Sequence, residues 1–292
     1  MSITIRAVGR AAKRGPRRRV PTATALTDEI LAWLPAASGD PAEVLAPRKA
    51  ADGTIEVDLH PAGRPLRIEV RDPGIIVATA LTVPVGPGYH TYVASLLHRL
   101  GDELEIEWAT TEPLAETGEV SADPTGAFAS GNRADAERGH LGWLRAAIVA
   151  VRDARRGGSG GLHLATPPGV RFTVHGAVAT VLGPRDDAWI ERALADPRVA
   201  ADAWPWVADA MDARYLLARA LTAMWLDVRW RPPIGPAEAA TDDEVLATLR
   251  RAYPLEPGLA WPWREWRELL AVRGHPDPAT LGLIDRAMPR IG

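Results

Sequence analysis

Gly86-Pro87-Gly88-Tyr89-His90 sets a glycine-bearing turn directly after an apolar stretch and directly before a helical pattern. Unpaired amides at such a helix start can hold an anion, with His90 and Tyr92 projecting nearby as donors. Gly86, Gly88, Tyr89, His90 and Tyr92 are therefore the expected ligand-binding set, although the same residues also read as a tight turn and an ordinary first helical turn. Glu105 and Glu107 are two apart, which puts them on one side of a strand as an acid/base pair or simply as its wet side. His163 and His175 fall on neighbouring predicted strands and would make a metal site only if Asp186 or Asp187 approached them. The fixed ligand spacing of a metal motif is missing, so these histidines read as surface or hydrogen-bonded sheet residues, and no metal or cofactor is expected.

Several reaction classes lack their signatures. The chain has no cysteine, which removes disulfides, thiolate nucleophiles and cysteine-based metal centres. There is no Gly-x-x-x-x-Gly-Lys-Ser/Thr loop, no His-Glu-x-x-His, no Gly-x-Ser-x-Gly and no Gly-x-Gly-x-x-Gly after a strand. No catalytic residue is assigned.

Charge and aromatic content point to binding instead. Lys13 and six arginines, among them Arg14, Arg17, Arg18 and Arg19, precede the first acidic residue, Asp28. Those seven of the 34 basic residues leave 27 against 37 acidic ones in the remainder, so a near-neutral total conceals a basic segment on an acidic body. Residues 1–22 read as a flexible basic arm, either simply solvated or able to meet nucleic acid or another anionic surface. Eleven tryptophans stand against two phenylalanines, and they concentrate in the last third. There, Arg229-Trp230-Arg231 interleaves the two residue types most enriched at interface hot spots, which marks a partner-binding surface beside tryptophans that fill the core.

Around that segment, Met224-Trp225-Leu226-Asp227-Val228-Arg229-Trp230-Arg231-Pro232, then Arg251-Ala252-Tyr253-Pro254-Leu255 and Pro262-Trp263-Arg264-Glu265-Trp266, the chain resembles uncharacterised bacterial domains encoded in multi-gene conflict systems with AAA ATPases and von Willebrand-type proteins. The resemblance implies an accessory protein and carries no catalytic residue with it. The expected function is a non-enzymatic accessory or adaptor protein of a bacterial multi-protein system, binding an unidentified protein partner. The alternatives are an enzyme or sensor using the Gly86–His90 turn, and nucleic-acid binding through the basic arm.

The elements that must position these residues follow from periodicity. Alternation in Thr54–Leu59 and Pro65–Arg71, followed by a third candidate strand over Ile75–Leu81, predicts an antiparallel meander with one wet face, with a further strand over Leu104–Trp108. Helices are expected over Tyr89–Leu100 and Ala134–Arg156, with a short one capped by Thr27. Gly157-Gly158-Ser159-Gly160-Gly161 reads as a linker between an α+β domain (23–156) and a mainly helical, tryptophan-rich domain (162–292). In that second half, short strands (Leu162–Ala165, Val170–His175, Ala177–Leu182) precede a helix capped by Asp186 or Asp187, one over Val207–Leu226, one opened by the capping box at Thr241, one from Pro262 and a last one from Asp277. The fold class is α+β. Neither a signal peptide nor an apolar span of about 18 residues is present, so a cytoplasmic protein without a membrane span is expected.

Overall fold

The computed structural model describes residues 2–14, 19–37, 45–158, 160–167, 177–208, 210–274 and 277–288. The protein is α+β, with an antiparallel six-stranded sheet in its N-terminal half and helices dominating its C-terminal half. The elements run β1 (Thr4–Ala11), α1 (Ala23–Trp33), β2 (Pro47–Lys49), β3 (Ile55–Val57), β4 (Leu66–Arg71), β5 (Ile75–Leu81), α2 (Pro87–Leu104), β6 (Ile106–Trp108), α3 (Ala127–Ser130) and α4 (Arg133–Arg156). They continue with β7 (Val178–Thr180), β8 (Gly183–Arg185), α5 (Asp187–Ala195), α6 (Ala213–Leu226), α7 (Pro236–Ala252), α8 (Trp263–Arg273) and α9 (Pro278–Ala287).

The sheet order is β2-β3-β4-β5-β1-β6. The expected meander is β3-β4-β5, in a register that pairs Ile68 with both Ile55 and Ala78. β1 corrects the reading of residues 1–22 as a flexible arm. It lies inside the sheet, paired antiparallel with β5 from Thr4↔Leu81 to Arg10↔Ile75 and with β6 on its other edge. The charge count masks an alternation, because Ile5, Ala7 and Ala11 are buried whereas Arg6 and Arg10 are only partly so. Arg6 pairs with Glu119, Arg10 with Glu116, and Arg14 with Glu29 and Glu105. Arg19 is exposed and shares a backbone bridge with Arg14, while Arg17 and Arg18 lie outside the described residues.

Some helix boundaries also shift. Thr22, not Thr27, caps α1. Asp212 caps α6, so the segment from Val207 precedes that helix. Thr241 lies within α7, which starts at Pro236, and its hydroxyl donates to the carbonyl of Ala237 instead of forming a capping box. Asp186 and Asp277 cap α5 and α9 as expected. The predicted strand Val170–His175 lies outside the described residues.

One apolar cluster joins sheet residues (Ile5, Ile55, Leu66, Ile68), the stripes of α1 and α2 (Leu26, Ile30, Val93, Leu97) and the C-terminal half (Trp206, Tyr215, Leu249, Trp266). A second cluster packs Leu144 and Ile148 of α4 against Trp189, Ile190 and Trp204. Both bury enough aromatic and aliphatic area to anchor the elements that flank the Gly86–His90 turn.

Candidate functional site

The turn between β5 and α2 is clamped by a distant extended segment, Trp204-Pro205-Trp206. The Trp206 amide donates to the Val85 carbonyl at 3.0 Å, the Gly88 amide donates to the Trp206 carbonyl at 3.1 Å, and the Trp204 indole donates to the Val83 carbonyl at 2.8 Å. Both glycines are required by this contact. Gly86 has φ 114°, and a Cβ on Gly88 would meet the Ala208 carbonyl oxygen at 2.2 Å. The expected anion cradle is thus closed, because a protein carbonyl already takes the Gly88 amide and the His90 amide bonds to Gly86.

Beyond the turn, Tyr89 and His90 diverge, since successive side chains on a helix point about 100° apart. His90 is fully buried. Its Nδ1 lies 3.0 Å from the Thr82 hydroxyl, and its Nε2 lies 3.1 Å from both Asp123 Oδ2 and Thr125 Oγ1. Asp123 also accepts from the backbone amides of Thr125 and Phe128. Burial alone would raise its carboxyl, but the hydrogen bonds from His90 and these amides hold it well below the usual range. His140 of α4 sits edge-on to His90 at 5.3 Å and to Trp204 at 5.5 Å. Burial, reinforced by His90, pushes its imidazole down to about 4, so it is neutral near pH 7. The chain hydroxyl–imidazole–carboxylate has the connectivity of a proton relay, yet Thr82 is fully buried and presents no hydroxyl to a substrate. A cleft of about 480 Å³ runs past this network, lined by Ile3, Pro124, Thr125, Gly139, Gly142, Trp143 and alanines of α4. Thr125 is its only link to the network among the described residues.

Tyr89 and Tyr92 face the other way, toward Trp206. Their rings lie 5.9 and 5.1 Å from its ring, Tyr215 lies 4.3 Å away and His60 6.4 Å away. Burial, helped by the charge of Arg219, pushes His60 well below the ordinary histidine range, and burial raises the Tyr89 phenol. On the solvent side of Trp206 and Tyr215 opens a groove of about 530 Å³. Leu182, Trp204, Leu217, Leu221 and Leu259 line it, with exposed Val207, Asp202, Asp212 and Arg214 along it.

The remaining expected residues stand apart from these groups. Glu105 is not on the strand. It ends α2 in a left-handed conformation and pairs with Arg14, so the proposed pairing with Glu107 along one strand face does not form. His163 makes an isolated bridge with Ala179, His175 lies outside the described residues, and no group of three metal-ligating side chains occurs among those described. Arg229 is exposed, Arg231 is engaged by both carboxylate oxygens of Glu238, and Trp230, at φ 53°, packs partly buried on the main core.

Sequence reasoning missed Thr82, Asp123, Thr125, His140, His60 and the Trp204–Trp206 clamp. One signal was available: Ala136, His140, Leu144, Ile148 and Val151 form a single buried stripe of α4, and a histidine on such a stripe calls for a partner. Compared with known protein families, with curated protein sequences and with solved structures, the chain finds no match.

Proposed function

We propose that the protein is a non-enzymatic accessory or adaptor subunit of a bacterial multi-protein system, and that its partner docks in the groove on Trp206 and Tyr215. The observation that carries this reading is the groove itself: a concave, largely apolar surface of about 530 Å³ floored by two aromatic rings and edged by charged side chains. That is the anatomy of an interface pocket that receives one large apolar anchor. The groove, more than Arg229-Trp230-Arg231, offers such a seat, because Trp230 turns toward the core and Arg231 is committed to Glu238. The alternatives draw less support. The groups of the Gly86–His90 turn face two separate clusters, and the arginines at 6, 10 and 14 are already paired with glutamates.

A photocrosslinking amino acid at position 218, which lines the groove on α6, tests the proposal in the native host. A discrete partner should crosslink there and not from the exposed position 48 on β2. Purification of the protein alone, with no crosslink from 218, would remove the reading.

A further inference from the structure

The turn between α6 and α7 holds Ile234 in solvent. It is the most exposed large apolar residue among those described, at 82% against 61% for Leu255 and at most 39% for any other. A lone exposed isoleucine would carry no meaning, but the loop around this one is built to keep it outward. Pro232-Pro233 precede it and Gly235-Pro236 follow it, and each proline fixes its own backbone φ. Arg231 forks onto both carboxylate oxygens of Glu238 at 2.9 and 3.0 Å and donates to the Pro232 carbonyl at 3.2 Å. The Ile234 amide donates to the same carboxylate at 2.9 Å. The loop is thus closed on the first turn of α7 by its own polar groups, and the isoleucine is left outside. An apolar side chain on a loop fixed in advance loses little freedom on docking, which is what an interface anchor needs.

The same molecule carries a seat for such an anchor. The groove on Trp206 and Tyr215 is apolar along Leu217 and Leu221 of α6, and two exposed carboxylates, Asp202 and Asp212, stand along it, while its Arg214 is already paired with Glu256. Arg229, in the same connection as Ile234, is exposed, so the knob brings positive charge to a negative rim. At 82% exposure, Ile234 stands outside the groove of its own chain. We propose that the occupant of the groove is a second copy of this chain, which inserts Ile234 against Trp206, Tyr215 and Leu221 and brings Arg229 toward Asp202 and Asp212. Knob and seat are different patches, so the contact is heterologous: each copy can receive one neighbour and enter another. The inference rests on the groove being a docking site and names the partner it takes.

Sedimentation velocity of the full chain over about 1–100 μM, the range of weak to moderate contacts, should show concentration-dependent association. Ile234→Asp should weaken it at least about tenfold, the effect of removing an interface anchor, and should leave the melting temperature unchanged. Ala218→Arg, in the groove wall on α6, should weaken association in the same way. The two folded variants mixed in equal amounts should associate again, one supplying the knob and the other the seat; where Ala218→Arg does not fold, Ile234→Asp decides alone. Crosslinking from position 218 in a mixture of isotopically labelled and unlabelled chains should reach a peptide of the other copy that contains Ile234. The inference is overturned if the parent chain is monomeric throughout that range, if Ile234→Asp associates as strongly as the parent, or if the mixed, folded variants stay apart. A different protein crosslinked from position 218 in the native host, with the purified chain monomeric, would keep the groove reading while this one falls. No crosslink from 218 in either setting removes both.

Discussion

Tyr89 and His90 are neighbours in the chain, yet their rings serve opposite sides of α2: Tyr89 lies 5.9 Å from Trp206, and His90 lies 5.3 Å from His140. The Trp204-Pro205-Trp206 clamp straddles the same turn, giving Trp204 to the histidine side and Trp206 to the tyrosine side. A change in the clamp is therefore felt in both clusters.

Gly88→Ala tests that coupling. The added methyl meets backbone at the Ala208 carbonyl, not a flexible side chain, so the clamp must lift. A loss of about 1–3 kcal/mol is expected, together with a shift in the fluorescence of the tryptophans, measured by chemical denaturation.

The histidines set a pH dependence. His140 titrates near 4 when folded and near 6.5 when unfolded, so between these values the unfolded chain binds more protons. His140's contribution to stability is fully present above about pH 6.5 and is lost as pH falls toward 4, amounting to about 3 kcal/mol. His60 contributes with the same sign, because burial also lowers it. Melting curves of His140→Gln across this window should show a shallower fall than the parent.

Asp123 holds the loop that leads into α3. Asp123→Ala removes the acceptor of His90 and of the Thr125 and Phe128 amides, so amide exchange should accelerate across residues 119–128. Unchanged protection there would mean that the backbone bonds of Ala122 to Arg6 and of Ser121 to Ala109 are enough to hold the loop.

The tryptophans separate by depth. Trp266 is fully buried and stacked at 5.8 Å on the partly buried Trp263. Trp266→Ala should cost about 3–5 kcal/mol and Trp263→Ala less. Trp230→Ala should also lower the melting temperature, since Trp230 packs on the same core.

What the sequence discloses here is local. The alternation of Ile55/Val57 and Leu66/Ile68 yields the meander, and Asp186 and Asp277 announce their helices through side chains that bond within three residues. β1 escapes notice because formal charge dominates its composition, and the glutamates that neutralise Arg6 and Arg10 come from beyond residue 115. The turn at Gly86–Gly88 is visible as a turn, but its ligand is the protein's own Trp206 carbonyl, a pairing that no local pattern encodes. His140 was legible in principle as the polar member of an apolar stripe.

The position of β1 bears on how the chain acquires its structure. Thr4 pairs with Leu81 and Ala11 with Ile106, so β1 has no sheet partner until β5 and β6 have emerged. Such distant pairings slow folding, because loops must close before any contact rewards them. Until then the nascent chain displays Ile3, Ile5, Ala7 and Val8 as an unpaired apolar strand, and that interval is when the protein is most open to chaperones and to aggregation.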